Sequence, residues 1–562
     1  MNSSTHDFAL RSNPGVAYLP RRRLAFGAAA LALVILGGWL CRAWIRTLTF
    51  DDAYMFYRYA LNIRHGLGIS WNPDGVPTYG MTSLPWVFVV LPFTVLPLAD
   101  GHALQLASWL VGTVAIGTMA ACVVRHARSD WLRTPALTFA AIALPLSLNP
   151  VFAFHLTTGM DTVLSLLANA ILVCGIVRYV ERPAVSRAFI VGALTFAAVL
   201  TRPDNGVCAL GSAGLAWLAI PGSRRWRDLA GVAALPLALI GVELLACNWY
   251  FQVPLPLGFY AKSLHSYAGF QNGENAVEYA YMGTSCAVPF LAALGATLKR
   301  KQLPLVVAFL LPVVLTVGYL LTVRQVMGFG GRYYVPFLPY AIVPALLSVD
   351  AALAEGARPV RRIGAALAIS AAIFLALRPM ELGWEKQYRA RVMPAPIPVP
   401  ELPTKARDPL PVYSWIRQPG ISTIVAGLPR GAVVAASEVG YLAAIAPQAT
   451  IIDLVGLNDT RIGVHGFSMD DLLARAPDLI WLPQEHYTGL LAVMFGDPRL
   501  LEQYIVIAHA FNSGLAIRCG SPLREEIERG VRDTWPALYP SRRLEDYTAT
   551  RCTAYLPGTP PP

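Results

Sequence analysis

Long apolar runs alternate with short polar breaks through the first two thirds of the chain. Stretches near residues 24–44, 103–124, 134–150, 160–180, 187–200, 206–220, 228–250, 279–298, 303–322, 334–350 and 361–378 predict helices. Many approach the ~18–20 apolar residues needed to cross a bilayer core. Segment 84–98 is also apolar, but it is short and carries Pro85, Pro92 and Pro97. It predicts a re-entrant or interfacial helix. After Arg378 the pattern changes. Residues 393–411 are proline-rich and predict a semi-rigid, extended connection. Beyond them, short runs at 432–437, 449–456, 478–483 and around 504–511 read as strands, with helical stretches 438–446 and 468–476 between them. That alternation predicts a small α/β domain. The expected organisation is a tail 1–23, a membrane domain 24–378 with first outer loop 45–102, a linker 379–411 and an α/β domain 412–562.

Composition strengthens the membrane assignment. Of 562 residues, 55% are hydrophobic and only 14% charged, against about 25% charged in an ordinary soluble domain. The mean hydropathy is +0.49. The fold class expected is a polytopic α-helical membrane protein with a small C-terminal α/β domain. The net charge of +11 is unevenly placed. Arg21, Arg22 and Arg23, then Arg125, Arg128 and Arg133, Arg182 and Arg187, Arg224, Arg225 and Arg227, Lys299, Arg300 and Lys301, and Arg358, Arg361 and Arg362 fall in one set of loops. The opposite set, 45–102, 151–159, 201–205, 251–278 and 323–333, holds isolated cations. The positive-inside bias places the first set in the cytoplasm. The result is about eleven spans, the N-terminus inside and the α/β domain outside. It accounts for the charge without nucleic acid. Counting 84–98 as a crossing would put the next arginine clusters on the wrong side. Eight cysteines include no CxxC pair. Cys519 and Cys552, in the polar tail, can pair if that tail is extracytoplasmic.

The outer loops are poor in charge, so their charged residues are informative. Asp51 and Asp52 open the first loop. One aspartate is readily explained as a helix N-cap; two at the exit of a span suggest a general base or a metal ligand. A Mg²⁺ or Mn²⁺ ion is compatible with the pair, but no complete ligand set accompanies it. Tyr54, Tyr57 and Arg58 follow at helical spacing, and Tyr79 lies past a Gly/Asn/Pro turn. Asp161 sits where a polar loop enters a span, with Thr157 or Thr158 as an alternative explanation by capping. Arg202 and Asp204 interrupt a short hydrophobic hairpin; a simple Arg–Asp turn competes with a polar site in the outer half of the membrane. Lys262 stands alone, and Arg332 follows Gly330-Gly331. Such cations beside exposed backbone N–H groups suit a phosphate, and snorkelling to headgroups is the alternative. All return to one face. The sequence contains no nucleotide-binding glycine loop, zincin or nucleophile-elbow motif.

In chain order, FDDAYMFYRYALNIRHGLGISWNPDGVPTYGMTSLPW, TGMDT (158–162), LTRPDN (200–205), PLPLGFYAKS (254–263), FGGRYYVPFLP (329–339) and IIDLVGLND (451–459) resemble motifs of the GT-C membrane glycosyltransferases. The similarity is greatest to the bacterial arabinofuranosyltransferase-related group and runs from about residue 45 to 460. Asp161 replaces a commoner Glu, Leu257-Gly258 stands for Asn-Thr, and Pro77-Thr78 lacks an acidic residue. These departures leave the donor sugar open. The resemblance implies a bacterial cytoplasmic-membrane enzyme that transfers a sugar from a polyprenyl-phosphate donor to a glycan, lipid-linked or protein acceptor on the outer face. It implies Asp51 or Asp52 as base, with a slight lean to Asp51, and Lys262, Arg202 and Arg332 on the donor phosphate. Tyr54, Tyr57, Arg58, Tyr79, Asp161 and Asp204 would contact substrate, and the outer domain would bind acceptor or shape the cavity mouth. A lipid-linked-sugar flippase would want polar residues along the span interiors, and a non-catalytic glycan-binding protein leaves Asp51-Asp52 and Lys262 unexplained.

Overall fold

The computed structural model describes residues 14–46, 49–220, 225–263, 276–322, 328–355, 397–405, 410 and 419–552. The expected span 361–378, residues 1–13 of the tail and most of the linker 379–411 lie outside the described residues.

Five helices are long and apolar enough to cross a bilayer: Arg23–Arg46, Asp100–His126, Thr162–Glu181, Trp226–Phe251 and Arg300–Thr322. Three further pairs are bent at a short break: Pro135–Leu148 with Pro150–Leu156 by 99°, Ala276–Ser285 with Val288–Thr297 by 62°, and Phe329–Phe337 with Pro339–Leu353 by 49°. The sharpest bend has a local cause. Pro150 cannot donate to the preceding turn, and Asn149 restarts the helix by accepting the Val151 N–H at 2.9 Å. The hairpin around Arg202 consists of two shorter helices, Val185–Thr201 and Gly206–Leu218. Length and apolarity alone therefore support up to eight spans among the described residues. The chain is a multi-pass helical membrane protein. Segment 84–98 forms a helix, Leu84–Val90, that tightens into a 3₁₀ turn, Leu91–Val95. It is too short to cross and packs on the first-loop helix Asp51–Arg64.

The C-terminal domain has a six-stranded sheet, ordered β2-β1-β3-β5-β4-β6. β1 (Val433–Ala436), β2 (Thr450–Asp453) and β3 (Leu479–Trp481) are parallel, with Val433 opposite Thr450 and Val434 opposite Leu479. β4 (Tyr504–Ala508), β5 (Gly514–Arg518) and β6 (Thr548–Ala549) extend it antiparallel. The apolar runs become strands because both sheet faces are covered, which removes the polar alternation. Sequence reading did not find β5 and β6. β4 stops at Ala508, and His509, Phe511 and Asn512 turn the chain with positive φ, a conformation the sequence AHAFNSG does not advertise. A Cys519–Cys552 disulfide ties the end of β5 to the C-terminal segment.

The membrane helices share one apolar core, including Ile142, Phe152, Leu166, Phe309 and Tyr340. A second core is continuous from Tyr54, Tyr59, Trp71 and Trp86 of the first loop into Leu442, Ile451 and Leu515 of the sheet domain. The C-terminal domain is therefore packed on the first loop, not merely tethered to it.

Candidate active site

The first-loop helix Asp51–Arg64 sits where the two cores meet. Its paired aspartates lie in the first turn, where the helix dipole favours negative charge. They face different partners. The carboxylate of Asp51 accepts the Gly440 N–H at 2.9 Å and the Tyr441 N–H at 2.8 Å. These are the first amides of the helix Gly440–Ile445 in the C-terminal domain. Burial pushes Asp51 up to about 6, the Tyr441 amide opposes that, and neighbouring Asp52 adds to it. A side chain at residue 440 would meet the Asp51 backbone oxygen at 2.0 Å, so only glycine permits this approach.

Arg58, two turns further on, is fully buried. Its guanidinium donates to the carbonyls of Trp71 at 2.9 Å, Ala443 at 2.9 Å, Ala446 at 3.2 Å and Ala449 at 3.1 Å. Asp51 thus caps the start of the Gly440–Ile445 helix and Arg58 its end, each matching the local dipole. Arg58 was expected at the substrate; the structure places it in this clamp. Neighbouring contacts reinforce the joint. The Asn72 carboxamide takes both the Ile451 N–H (2.8 Å) and C=O (3.2 Å) on the open edge of β2. Trp71 Nε1 donates to the same carbonyl at 3.1 Å.

Asp52 points the other way. It pairs with Arg332 at 3.0 Å, and both side chains are largely buried. Arg332 follows a turn in which Gly330 and Gly331 have φ of +62° and +74°. A side chain at 331 would lie 2.6 Å from the Gly283 nitrogen, so glycine lets the turn rest on the Ala276–Ser285 helix. The Gly330 carbonyl lies 2.8 Å from His155 Nε2. Arg202 donates to both Asp204 oxygens, at 3.0 and 2.8 Å, and reaches Asp161 at 3.4 Å. The guanidinium carbons of Arg202 and Arg332 stand 5.1 and 5.4 Å from the ring centre of Tyr333. Asp52, Asp161, Asp204, Arg202 and Arg332 therefore form one buried cluster. Among the described residues, Asp161 Oδ2 and Arg332 Nε in it have no hydrogen-bond partner.

The other expected contacts are more dispersed. Tyr54 is fully buried with its ring 5.0 Å from Tyr441. Tyr57 is buried in the same core. Tyr79 stacks on Phe251 at 4.7 Å. Lys262 lies on the helix Leu257–Ser263, whose first amide donates to the Tyr79 carbonyl at 2.8 Å; no ion pair of Lys262 occurs among the described residues.

Two acids outside the expected set also face this joint. Glu438 follows β1 and Asp453 ends β2, at the carboxyl ends of parallel strands, where α/β sheets commonly place ligand groups. Burial, followed by the charges of Asp51, Asp52 and Asp453, holds Glu438 well above the usual carboxylate range. Burial raises Asp453 to about 7 against the bonds it accepts from Asn458 and Val455. The motif IIDLVGLND signalled Asp453; nothing in ASEVGY singled out Glu438. Asp51 faces the Gly440 and Tyr441 amides and Asp52 faces Arg332, so the two carboxylates do not converge on one Mg²⁺ or Mn²⁺ ion as adjacent aspartates suggest. Among the described residues, no three His, Cys, Asp or Glu side chains gather as metal ligands.

A family model described as a domain of unknown function (DUF8728) matches residues 412–539. No curated protein matches the chain. Among solved structures, apo ArnT from Cupriavidus metallidurans is similar, with a TM-score of 0.50 and 14% identity over 87% of this chain and 96% of that one. At that identity the likeness shows a shared fold: a bundle of membrane helices carrying a C-terminal domain.

Proposed function

We propose that this protein is a GT-C-type glycosyltransferase of the bacterial cytoplasmic membrane. It moves a sugar, with arabinofuranose the candidate from the motifs, from polyprenyl phosphate to a hydroxyl of a glycan or glycoconjugate on the outer face. The observation that carries this reading is the buried cluster in which Asp52 is paired with Arg332 and a second guanidinium, Arg202, shares the Tyr333 ring. The shared fold with ArnT and the ordered motifs support it. The Cys519–Cys552 disulfide suits an oxidising compartment for the outer domain.

Of the two aspartates we assign Asp52 as the base, because both oxygens of Asp51 are engaged by the outer domain. The donor phosphate takes up donors of Arg332, whose buried Nε has no hydrogen-bond partner among the described residues, with Arg202 and Lys262 adding positive charge. Drawing Arg332 toward the phosphate loosens its hold on Asp52. The acceptor oxygen attacks the anomeric carbon and its proton passes to Asp52. The bond to the phosphate oxygen breaks, and its electron pair leaves with polyprenyl phosphate. A positioned charged donor of this kind is worth about 3–4 kcal/mol.

The test is transfer in proteoliposomes supplied with a panel of polyprenyl-phosphate sugars, with product detected by mass spectrometry. Asp52→Asn is expected to lower kcat by roughly 10²–10⁴. Wild-type turnover by Asp52→Asn, or silence with every donor, refutes the assignment.

A further inference from the structure

Deeper in the helix bundle than the buried charge cluster lies a network of neutral polar groups. Ser165, Asn169, Asn205 and Tyr340 are each fully buried in it. A carboxamide left unpaired in such surroundings is costly, and Asn169 is fully paired. Its amide nitrogen donates to Asn205 Oδ1 at 3.1 Å and to the Pro336 carbonyl at 3.1 Å, and its oxygen accepts the Tyr340 hydroxyl at 2.9 Å. A carbonyl can only accept, so the Pro336 contact fixes which end of the carboxamide carries the hydrogens. Each of those hydrogens is engaged by a different segment of chain.

The two segments are the ones that carry the guanidiniums. Asn205 closes the turn Pro203–Asn205, directly after Arg202. Its own amide nitrogen reaches back past Arg202 to the Ala198 carbonyl at 2.7 Å and the Thr201 hydroxyl at 3.3 Å. Pro336 lies in the turn Val335–Phe337, four residues after Arg332. Asn169 itself is on the helix Thr162–Glu181, eight residues past Asp161, or about 12 Å along the axis. One side chain thus joins the three segments that supply Asp161, Arg202 and Arg332.

The charged groups are less firmly tied to one another. The short bonds of Arg202 go to Asp204 in its own turn, and its reach to Asp161 is 3.4 Å. The guanidinium of Arg332 has one hydrogen bond among the described residues, to Asp52 at 3.0 Å. Two cations close on one phosphate only at a suitable separation, and a misplacement of about 1 Å can cost on the order of 10²-fold. We infer that Asn169 is a positioning residue: by tying the Asn205 turn to the Pro336 turn, it holds Arg202 and Arg332 at the spacing at which both grip one phosphate group of a lipid. That this lipid carries a sugar to be transferred rests on the glycosyltransferase reading; the tie does not.

Binding is measured on the full chain in nanodiscs by calorimetry, with farnesyl phosphate as the probe and farnesol as its uncharged counterpart. Wild type is expected to bind the phosphate about tenfold or more tightly than the alcohol. Asn169→Leu, close in volume but without donors, should weaken the phosphate by about fivefold or more and leave farnesol as in wild type. Tyr340→Phe removes a bond from the same carboxamide but spares both of its N–H links. It should bind the phosphate like wild type, whereas a network that only stabilised the bundle would respond alike to either change. Arg332→Met should also weaken the phosphate. Combined with Asn169→Leu it should lose less than the product of the two single losses, because the amide acts through the guanidinium. If Asn169→Leu does not accumulate in membranes, Asn169→Ser, too short to reach both partners, takes its place. The inference is overturned if wild type or the Asn169 variant falls short of these margins, if Tyr340→Phe weakens the phosphate as much, or if the two losses multiply. Transfer is measured separately. Phosphate binding that follows this pattern, with no sugar transferred from any polyprenyl-phosphate donor, would sink the glycosyltransferase reading and leave the tie standing. Transfer with the donor KM unchanged in the Asn169 variant would sink the tie alone.

Discussion

Replacing Arg58 with methionine keeps most of the side-chain volume and removes the guanidinium. Four carbonyls lose their donor: Trp71, Ala443, Ala446 and Ala449. A hydrogen bond from a charged donor contributes about 1.5–3 kcal/mol, so simple addition gives ~6–12 kcal/mol. That sum is too large. The four bonds share one group, and the variant no longer bears the cost of burying its charge. Removing one side of a buried ionic contact costs about 3–5 kcal/mol, and that is the expected loss in docking of the C-terminal domain. With 1.4 kcal/mol per decade, the undocked population rises by roughly two to three and a half orders of magnitude. Hydrogen–deuterium exchange in micelles reads this directly. The amides of Gly440 and Tyr441, bonded to Asp51, and of Ile451, bonded to Asn72, are protected only by the docked arrangement. Their exchange should accelerate by up to that factor, while strand amides shared by β4 and β5 keep their protection. Arg58→Lys should fall between the two, since an ammonium lacks the planar fork that reaches several carbonyls. Gly440, Tyr441 and Ile451 amides exchanging within threefold of wild type in Arg58→Met would refute the clamp.

Docking should also depend on pH. Burial raises Asp51 to about 6 and Asp453 to about 7 in the folded protein, so between pH 4 and 7 the folded state binds more protons than the unfolded one. Stability must then fall as pH rises through that window and level off above it. Asp51→Asn should flatten the lower part of the slope in thermal melts from pH 4 to 8, and a rising wild-type slope would contradict the burial of these acids. Changing both Cys519 and Cys552 to serine opens a crosslink across 33 residues of sequence and should cost about 2–4 kcal/mol. Thermal unfolding with and without reductant checks this, and equal melting points for the variant and the oxidised wild type would count against a stabilising bridge.

Much of the architecture was legible because apolarity is a local signal. Most of the expected spans correspond to helices, and the first four strands fall within their expected runs. Proline explains both the demotion of 84–98 and the sharp break before Pro150. Partner choice was far less legible. Asp51, Arg58, Trp71 and Asn72 all lie in the stretch that reads as a substrate site, yet each bonds to groups about 380–390 residues away. No window of sequence shows such a contact. One clue was available: Asp51 and Arg58 are seven residues apart and share a helix face. A pair so placed can grip both ends of a short parallel helix. Glu438 carried no comparable signal, because only the sheet topology brings the end of β1 to the first loop.

The joint gives the two aspartates separate tasks. Consecutive residues on a helix point about 100° apart. When Asp51 is fixed on the Gly440 and Tyr441 amides, Asp52 is thereby turned toward Arg332. Arg58 fixes the other end, so the helix cannot rotate without breaking contacts at both turns. The C-terminal domain consequently sets the direction in which Asp52 faces, although it belongs to a different part of the chain. A variant that undocks the domain should then lose transfer in proportion to its undocked population, without any change at Asp52, Arg202 or Arg332. Loss of turnover in Arg58→Met that tracks amide exchange, and is partly restored in Arg58→Lys, is the pattern expected of a positioning role. Full turnover in a variant whose domain is demonstrably undocked would show that Asp52 keeps its orientation unaided.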